Sequence, residues 1–309
     1  MLAALLFGAI ALGTEPIDVD AAAPHAPEEA AEVVAARDRP TPGHSTKAPG
    51  QPLRTPTSTL VHALREAPNA PLHARMKLVS DAMLGARYLA DPLGEGEAPD
   101  LDPLVRYDAF DCLTFVEEVL ALSLTTHHAE ADALRMRLRY GHSEPSYANR
   151  HHFMELQWLP AAVSNGLLVD RTASYGATQR HEQEVTPHIW KHWPSRARFA
   201  IPDDTLPTGP IALDVLPLSA AREHASRIKP GTLLFVVREH RPGVPIWITH
   251  AGIVFEGADG APILRHATKR PPVPSVRDEP LARVLARLGH EHWPVYGVAL
   301  FEPIPARWP

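Results

Sequence analysis

The sequence predicts an α+β fold, and three observations carry that prediction. Apolar residues before position 140 recur at helical spacing. Those after position 232 fall in short β-branched or aromatic runs bounded by Gly and Pro. A Gly-Ala-Asp-Gly stretch at 257–260 reads as a tight hairpin turn between two of the runs. Helices first and an antiparallel meander second is the order in which N-terminal helices pack on an antiparallel β-sheet. With 309 residues and 45% hydrophobic composition, the chain can bury one sizeable core.

Residues 1–13 contain an apolar run, Leu2 to Leu12, of the length of a signal-peptide core and too short to span a bilayer. It is a candidate signal or anchor segment, without the basic residues that usually precede such a core. Export, to a periplasmic or envelope-associated site, is the expectation, with no membrane span beyond an N-terminal anchor. Residues 14–56 are rich in Pro, Ala, acidic and small polar residues with no apolar period, the composition of a disordered tether. Residues 57–309 hold no repeat and no linker and are expected to form one domain.

Within that domain, Leu60, Leu64, Leu78, Ala82 and Leu84 predict one or two helices between 58 and 89, broken near Pro68 to Pro71. A Pro-, Gly- and Asp-rich loop follows from Asp91 to Pro103. A second helix opens at Cys112 and carries Phe115, Val116, Val119, Leu120 and Leu122; another covers Ala129 to Tyr140, and a polar loop runs from Gly141 to Asn149. Strands are predicted over Thr232–Val237, Ile246–Phe255, Pro262–Ala267 and Val295–Phe301. The Pro- and His-rich stretch Gln183 to Pro194 reads as a surface loop, with a substrate-shaping insertion as the alternative.

A net charge of −6 supplies no polycationic field, so nucleic-acid or phosphate-surface binding is not indicated, and neither GxGxxG nor a phosphate loop ending in Lys-Ser/Thr follows any strand. One cysteine in the whole chain excludes an intramolecular disulfide framework and a thiolate-rich zinc site; that thiol is either a buried hydrophobe or a nucleophile. Among 18 histidines, His188 and His192 are four apart, but no Glu follows His188 as a zincin requires, and the pairs His127-His128 and His151-His152 cannot point the same way. No metal and no cofactor are expected.

The chemistry-bearing pattern has three pieces. In RYDAFDCLTFVE (106–117) Cys112 opens a helix after Asp111, where the unsatisfied N–H groups of the first turn favour a thiolate. In WITHAGIVF (247–255) His250 interrupts an apolar strand beside the small Ala251 and Gly252, a candidate general base. In ILRHAT (263–268) His266 lies on the returning strand. A hairpin centred near Ala258 sets His266 opposite His250, about 5 Å apart at Cβ, where it can orient the base.

Asp-Cys at a helix start, His-Ala-Gly-Ile-Val on a strand and a polar residue on the next strand resemble the NlpC-type branch of papain-like cysteine hydrolases. FDCLTFVE, the preceding PLVRYDAF and the later YANRHHFMELQWLP resemble, more narrowly, proteins of the N-acetylmuramoyl-L-alanine amidase-like group, over roughly residues 60 to 303. One departure is Lys229-Pro230-Gly231 before the histidine strand, where the superfamily usually has Gly-Asp.

The resemblance implies a papain-like NlpC-type fold and a metal-independent bacterial cell-wall hydrolase. It cleaves the amide between N-acetylmuramic, or anhydro-muramic, acid and L-alanine, with Cys112 as nucleophile, His250 as base and His266 as orienting residue. Peptidoglycan or a muropeptide is then the partner. Alternatives within reach of the same residues are a stem-peptide endopeptidase and a catalytically silent cell-wall binding module. Asp111 is expected to cap the helix; Tyr107, Asp108, Arg150, His152 and Trp158 are further candidates for substrate contact. Oligomeric state is not legible.

Overall fold

The computed structural model describes residues 69–305. The candidate signal segment, the tether and the first half of the 58–89 helical region lie outside the described residues.

The chain forms a mixed α+β fold with one central sheet and flanking helices. Helix α1 (Leu72–Asp81) starts after Pro71, whose missing N–H suits the helix entry. Two short parallel strands, β1 (Arg87–Tyr88) and β2 (Ala109–Phe110), bracket the predicted loop. Helices α2 (Cys112–Leu124) and α3 (His128–Tyr140) follow as expected. A π turn over Met154–Trp158 leads into α4 (Leu159–Ser164) and β3 (Leu168–Asp170).

The four predicted strands are present as β6 (Leu233–Arg238), β7 (Ile248–Glu256), β8 (Pro262–Thr268) and β10 (Val295–Pro303). They are joined by elements absent from the expectations above: β4 (Gln179–Val185), α5 (Pro187–His192), β5 (Gly209–Pro217), α6 (Leu218–Glu223), β9 (Ser275–Pro280) and α7 (Leu281–Leu288). The strand order is β2-β1-β9-β8-β7-β6-β10-β5-β4, with β3 also on β10, and every pairing but β1–β2 is antiparallel.

The expected surface loop from Gln183 to Pro194 is ordered instead. Gln183 to Val185 end β4, paired residue by residue with β5, and Trp190 and Trp193 beyond them are buried against Phe153 and Phe199. Burying two indoles and their ring contacts outweighs the Pro and His content that made the stretch look loop-like.

Strand alternation splits the core in two. Leu233, Phe235, Val237, Ala251 and Ile253 face α2 and the aromatic cluster, whereas Leu234, Val236, Val254 and Leu264 face α6 and α7. Helix α2 is largely apolar, and its two charged residues are Glu117 and Glu118. Both are buried and paired, Glu118 with Arg135 through two contacts of 2.7 Å and Glu117 with Arg139 Nε at 2.7 Å and Trp158 Nε1 at 2.9 Å. These pairs lock α2 to α3 and to the π turn, which fixes where its N-terminus points.

Candidate active site

Asp111 is the N-cap of α2. Its Oδ1 accepts the Thr114 N–H at 2.8 Å, and Thr114 Oγ1 accepts the Asp111 N–H at 3.0 Å, a reciprocal capping box that holds the first turn. Cys112 is the first helical residue and is buried, and the backbone N–H groups of Ala251, Cys112 and Leu113 pull its thiol toward the thiolate against that burial.

Strand pairing explains why Ala251 has an N–H to give. The β7–β8 ladder runs only from Glu256↔Pro262 to Ile253↔Arg265. Val254 donates to Thr232 beside β6, so by the two-residue period Ala251 N–H points to the β8 side, beyond the last pair. Cys112 lines the same cavity as His250 and His266.

His250 follows a bulge. The β6–β7 register passes from Val236↔His250 to Val237↔Ile248, leaving Thr249 as the extra residue, and Thr249 Oγ1 accepts Arg238 Nε at 2.8 Å. Upstream of the bulge, Glu155 on the π turn accepts the N–H groups of both Trp247 and Ile248 through one oxygen. The ring of His250 keeps partial access to the adjoining cavity. Its Nε2 lies 2.7 Å from His266 Nδ1, and His266 Nε2 lies 3.1 Å from Glu279 Oε1.

The register that brings the histidines together is not the predicted one. The hairpin centres on Asp259, so continuation of the ladder sets His266 opposite Gly252, and His250 is its diagonal neighbour two residues away. Moving the centre by one residue shifts the pairing by two, which preserves the face. Gly252 makes the contact passable: a Cβ there would sit 3.0 Å from His266 Cβ and 2.9 Å from Leu264 Cδ1.

The electrostatics also differ from expectation. Burial first, and the Asp111 carboxylate second, push the Cys112 thiol up to about 12 against the three N–H groups that favour a thiolate. Burial, with His266 and then Arg270, Arg238 and Arg287, holds His250 well below its ordinary value of 6.5. The resting pair is therefore neutral thiol and neutral imidazole. Removing the apolar walls from consideration is what made a thiolate look favoured from the helix start alone.

The cavity over Cys112 has a volume of about 370 Å³, and Asp111, Arg150, His152, His250 and His266 also line it. Arg150 is held by Glu95 at 2.7 and 2.9 Å, Asp100 at 3.0 Å and Asp91 at 3.3 Å, tying the 91–103 loop to the cavity wall. His152 Nε2 contacts the Tyr147 carbonyl at 2.6 Å. The other three substrate-contact candidates do not line the cavity. Tyr107 stands against Arg135, Trp158 is completely buried with its N–H on Glu117, and the Asp108 carboxyl is held down to about 2 by Arg106 and, next, Arg87 against partial burial.

Four further residues emerge from the structure. Tyr88 lines the cavity, its hydroxyl within electrostatic range of Cys112 and Asp111, and burial raises its pKa. Phe199, just after the β4–α5 segment, forms the wall facing His152, with ring centroids 5.9 Å apart. Glu279 requires knowledge of the β8–β9 register and has no sequence signal. Glu155 has one, a carboxylate inside the apolar run FMELQWLP. The rings of His188 and His192 lie 4.1 Å apart on α5, tilted by 36°, and among the described residues no group of three or more His, Cys, Asp or Glu is placed to hold a metal ion. No helix among them is long and apolar enough to cross a membrane.

Comparison with known proteins agrees with this architecture. Residues 78–288 match the model of the AmiA-like, N-acetylmuramoyl-L-alanine amidase-like family. The protein LPG0564 of Legionella pneumophila str. Philadelphia 1 superposes with a TM-score of 0.70 at 21% identity, covering 80% of this chain and 94% of that one. An N-acetylmuramoyl-L-alanine amidase of Bacteroides uniformis ATCC 8492 superposes with a TM-score of 0.60 at 20% identity, covering 75% of this chain and 98% of that one. At such identities the superpositions establish a shared fold. No curated protein matches the sequence.

Proposed function

The chain belongs to the AmiA-like family, hydrolytic amidase-like enzymes of peptidoglycan and its fragments, and we propose that it works as a papain-like cysteine amidase. It hydrolyses the bond between muramic, or anhydro-muramic, acid and L-alanine. One observation carries the proposal: a lone cysteine at a capped helix N-terminus lines the same cavity as a histidine whose Nε2 lies 2.7 Å from a second histidine.

In the reaction, His250 takes the thiol proton as Cys112 sulfur bonds to the amide carbonyl carbon. The Cys112 N–H and the nearby Tyr88 hydroxyl are the donors for the oxyanion. The C–N bond then breaks, the amine of L-alanine leaves with the proton from His250, and a thioester remains. Water, deprotonated by the same imidazole, releases the lactyl carboxylate and restores the thiol. Because thiol and imidazole both rest neutral, proton transfer accompanies attack rather than preceding it.

The NlpC-type assignment, and an exported location suited to a cell-wall substrate, belong to the same proposal. The test is incubation of wild type and Cys112→Ala with sacculi and defined muropeptides, read by mass spectrometry. The proposal expects muramic acid freed of its peptide, plus a peptide beginning with L-alanine, from wild type alone. Cleavage inside the stem peptide makes the protein an endopeptidase instead; no Cys112-dependent product makes it a binding module.

A further inference from the structure

We infer that Glu279 is a positioning residue which, by accepting the Nε2–H of His266, sets the tautomers of two imidazoles in series and leaves His250, which lines one cavity with Cys112, a bare Nδ1. The inference deepens the proposed function and rests on Cys112 being its nucleophile.

The direction of the hydrogen bonds follows from what each group can do. Glu279 Oε1 accepts Arg277 Nε at 3.0 Å and Nη2 at 2.8 Å, and Oε2 accepts Arg287 Nη1 at 2.7 Å. Clamped in this way the carboxylate stays charged and can only accept. His266 Nε2, 3.1 Å away, must then carry a hydrogen. A neutral His266 has only a lone pair left at Nδ1, so His250 Nε2, 2.7 Å from it, must carry the next hydrogen. A neutral His250 is left with its Nδ1 lone pair, the form a general base needs.

A doubly protonated His266 would reverse the chain. It would donate to His250 Nε2, move the hydrogen of His250 to Nδ1 and leave His250 without a free lone pair to act as base. The site opposes that state. Burial lowers the basicity of His266, and although Glu279 raises it, Arg277 and Arg287 lower it again, so that the net shift is downward. The two arginines thus keep Glu279 an acceptor without letting it draw a second proton onto His266.

The arrangement is also regular. His250 is two residues from Gly252, the position facing His266, and Glu279 is two residues from Arg277, the residue paired with His266. Both contacts are therefore same-face diagonals across β7, β8 and β9. Helix α7 starts right after β9 and returns Arg287 to Glu279.

The test uses the full chain with ¹⁵N-labelled histidine and long-range ¹H–¹⁵N NMR at neutral pH, without substrate. Wild type is expected to show both His250 and His266 in the Nε2–H form. Glu279→Gln, whose amide can donate as well as accept, is expected to lose that preference. Its kcat on a cleaved muropeptide falls about 10- to 100-fold, with KM changed by less than about twofold, and iodoacetamide alkylation of Cys112 slows in step. His250 in the Nδ1–H form in wild type overturns the inference even if the variant does not fold. So does a folded Glu279→Gln with unchanged tautomers and kcat. Tautomers and alkylation need no muropeptide. Predicted tautomers in a wild type that cleaves none would therefore sink the amidase proposal alone, and cleavage with unaltered variant tautomers would sink the inference alone.

Discussion

Glu155 offers a perturbation whose size can be worked from its surroundings. Its carboxyl is buried beneath the strand leading to His250, and burial raises it from 4.5 to about 7 although backbone N–H groups pull the other way. One oxygen receives Trp247 and Ile248, while Oε2 is buried with no partner among the described residues, the arrangement of a neutral carboxyl rather than a charged one. Below pH 4.5 the group is protonated in folded and unfolded chains alike. Between 4.5 and 7 the folded state alone holds the proton, so stability falls as pH rises, and above pH 7 it is lower by about 3 kcal/mol than on the acid side. Glu155→Gln keeps the carbonyl that accepts the two N–H groups and never charges. The variant should therefore gain about 3 kcal/mol on wild type between about pH 4 and about pH 8. Urea unfolding of both proteins across that range measures it, with activity confirming that His250 stays in place. A stability difference constant to within about 0.5 kcal/mol across the series refutes the reasoning.

Further outcomes follow from the same geometry. Because burial holds His250 below 6.5, kcat/KM should lose its base only as pH falls through a lowered value; an acid limb centred at pH 7 or above would contradict this. Gly252→Ala places a methyl 3.0 Å from His266 Cβ, so kcat should drop about tenfold with an overpacking loss of about 1–3 kcal/mol; unchanged kinetics would mean the histidine contact does not depend on that close approach. Arg139→Leu strands the buried Glu117 carboxylate and should cost about 3–5 kcal/mol in denaturant unfolding. The double replacement Glu117→Leu with Arg139→Leu should be less damaging than the single one, and additive losses would count against a paired burial.

What the sequence makes legible follows what each period can encode. Helix α2 and strands β6, β7, β8 and β10 are one-sided or wholly apolar, so spacing alone finds them. Strand β4, QRHEQEV, is an edge strand with one buried residue, and β9, SVRDEP, is polar because it carries the ion pairs of Arg265, His266 and Arg277, so neither shows a strand's apolar pattern. Helix α7 is different: Leu281, Val284, Leu285 and Leu288 sit at helical spacing, and only its shortness and position between strands conceal it.

The candidate site divides along the same line. Cysteine and histidine types and their order are local facts, and Asp111 before Cys112 with Thr114 three residues on is a cap readable by eye. Which residue meets His266 is a register fact, and register in a hairpin hangs on a single turn residue: centring on Ala258 or on Asp259 exchanges direct for diagonal pairing while keeping the face. Protonation state is harder still, because it depends on volume excluded by distant segments. The apolar walls that lift the thiol and lower the imidazole include Phe199, which the sequence places 87 residues from Cys112 and inside the β4–β5 connection, which no periodicity reveals. A helix start read alone argues for a thiolate. The same helix start enclosed by those walls argues for a thiol that surrenders its proton only when a substrate carbonyl arrives, and that difference is what the position of the acid limb of kcat/KM measures.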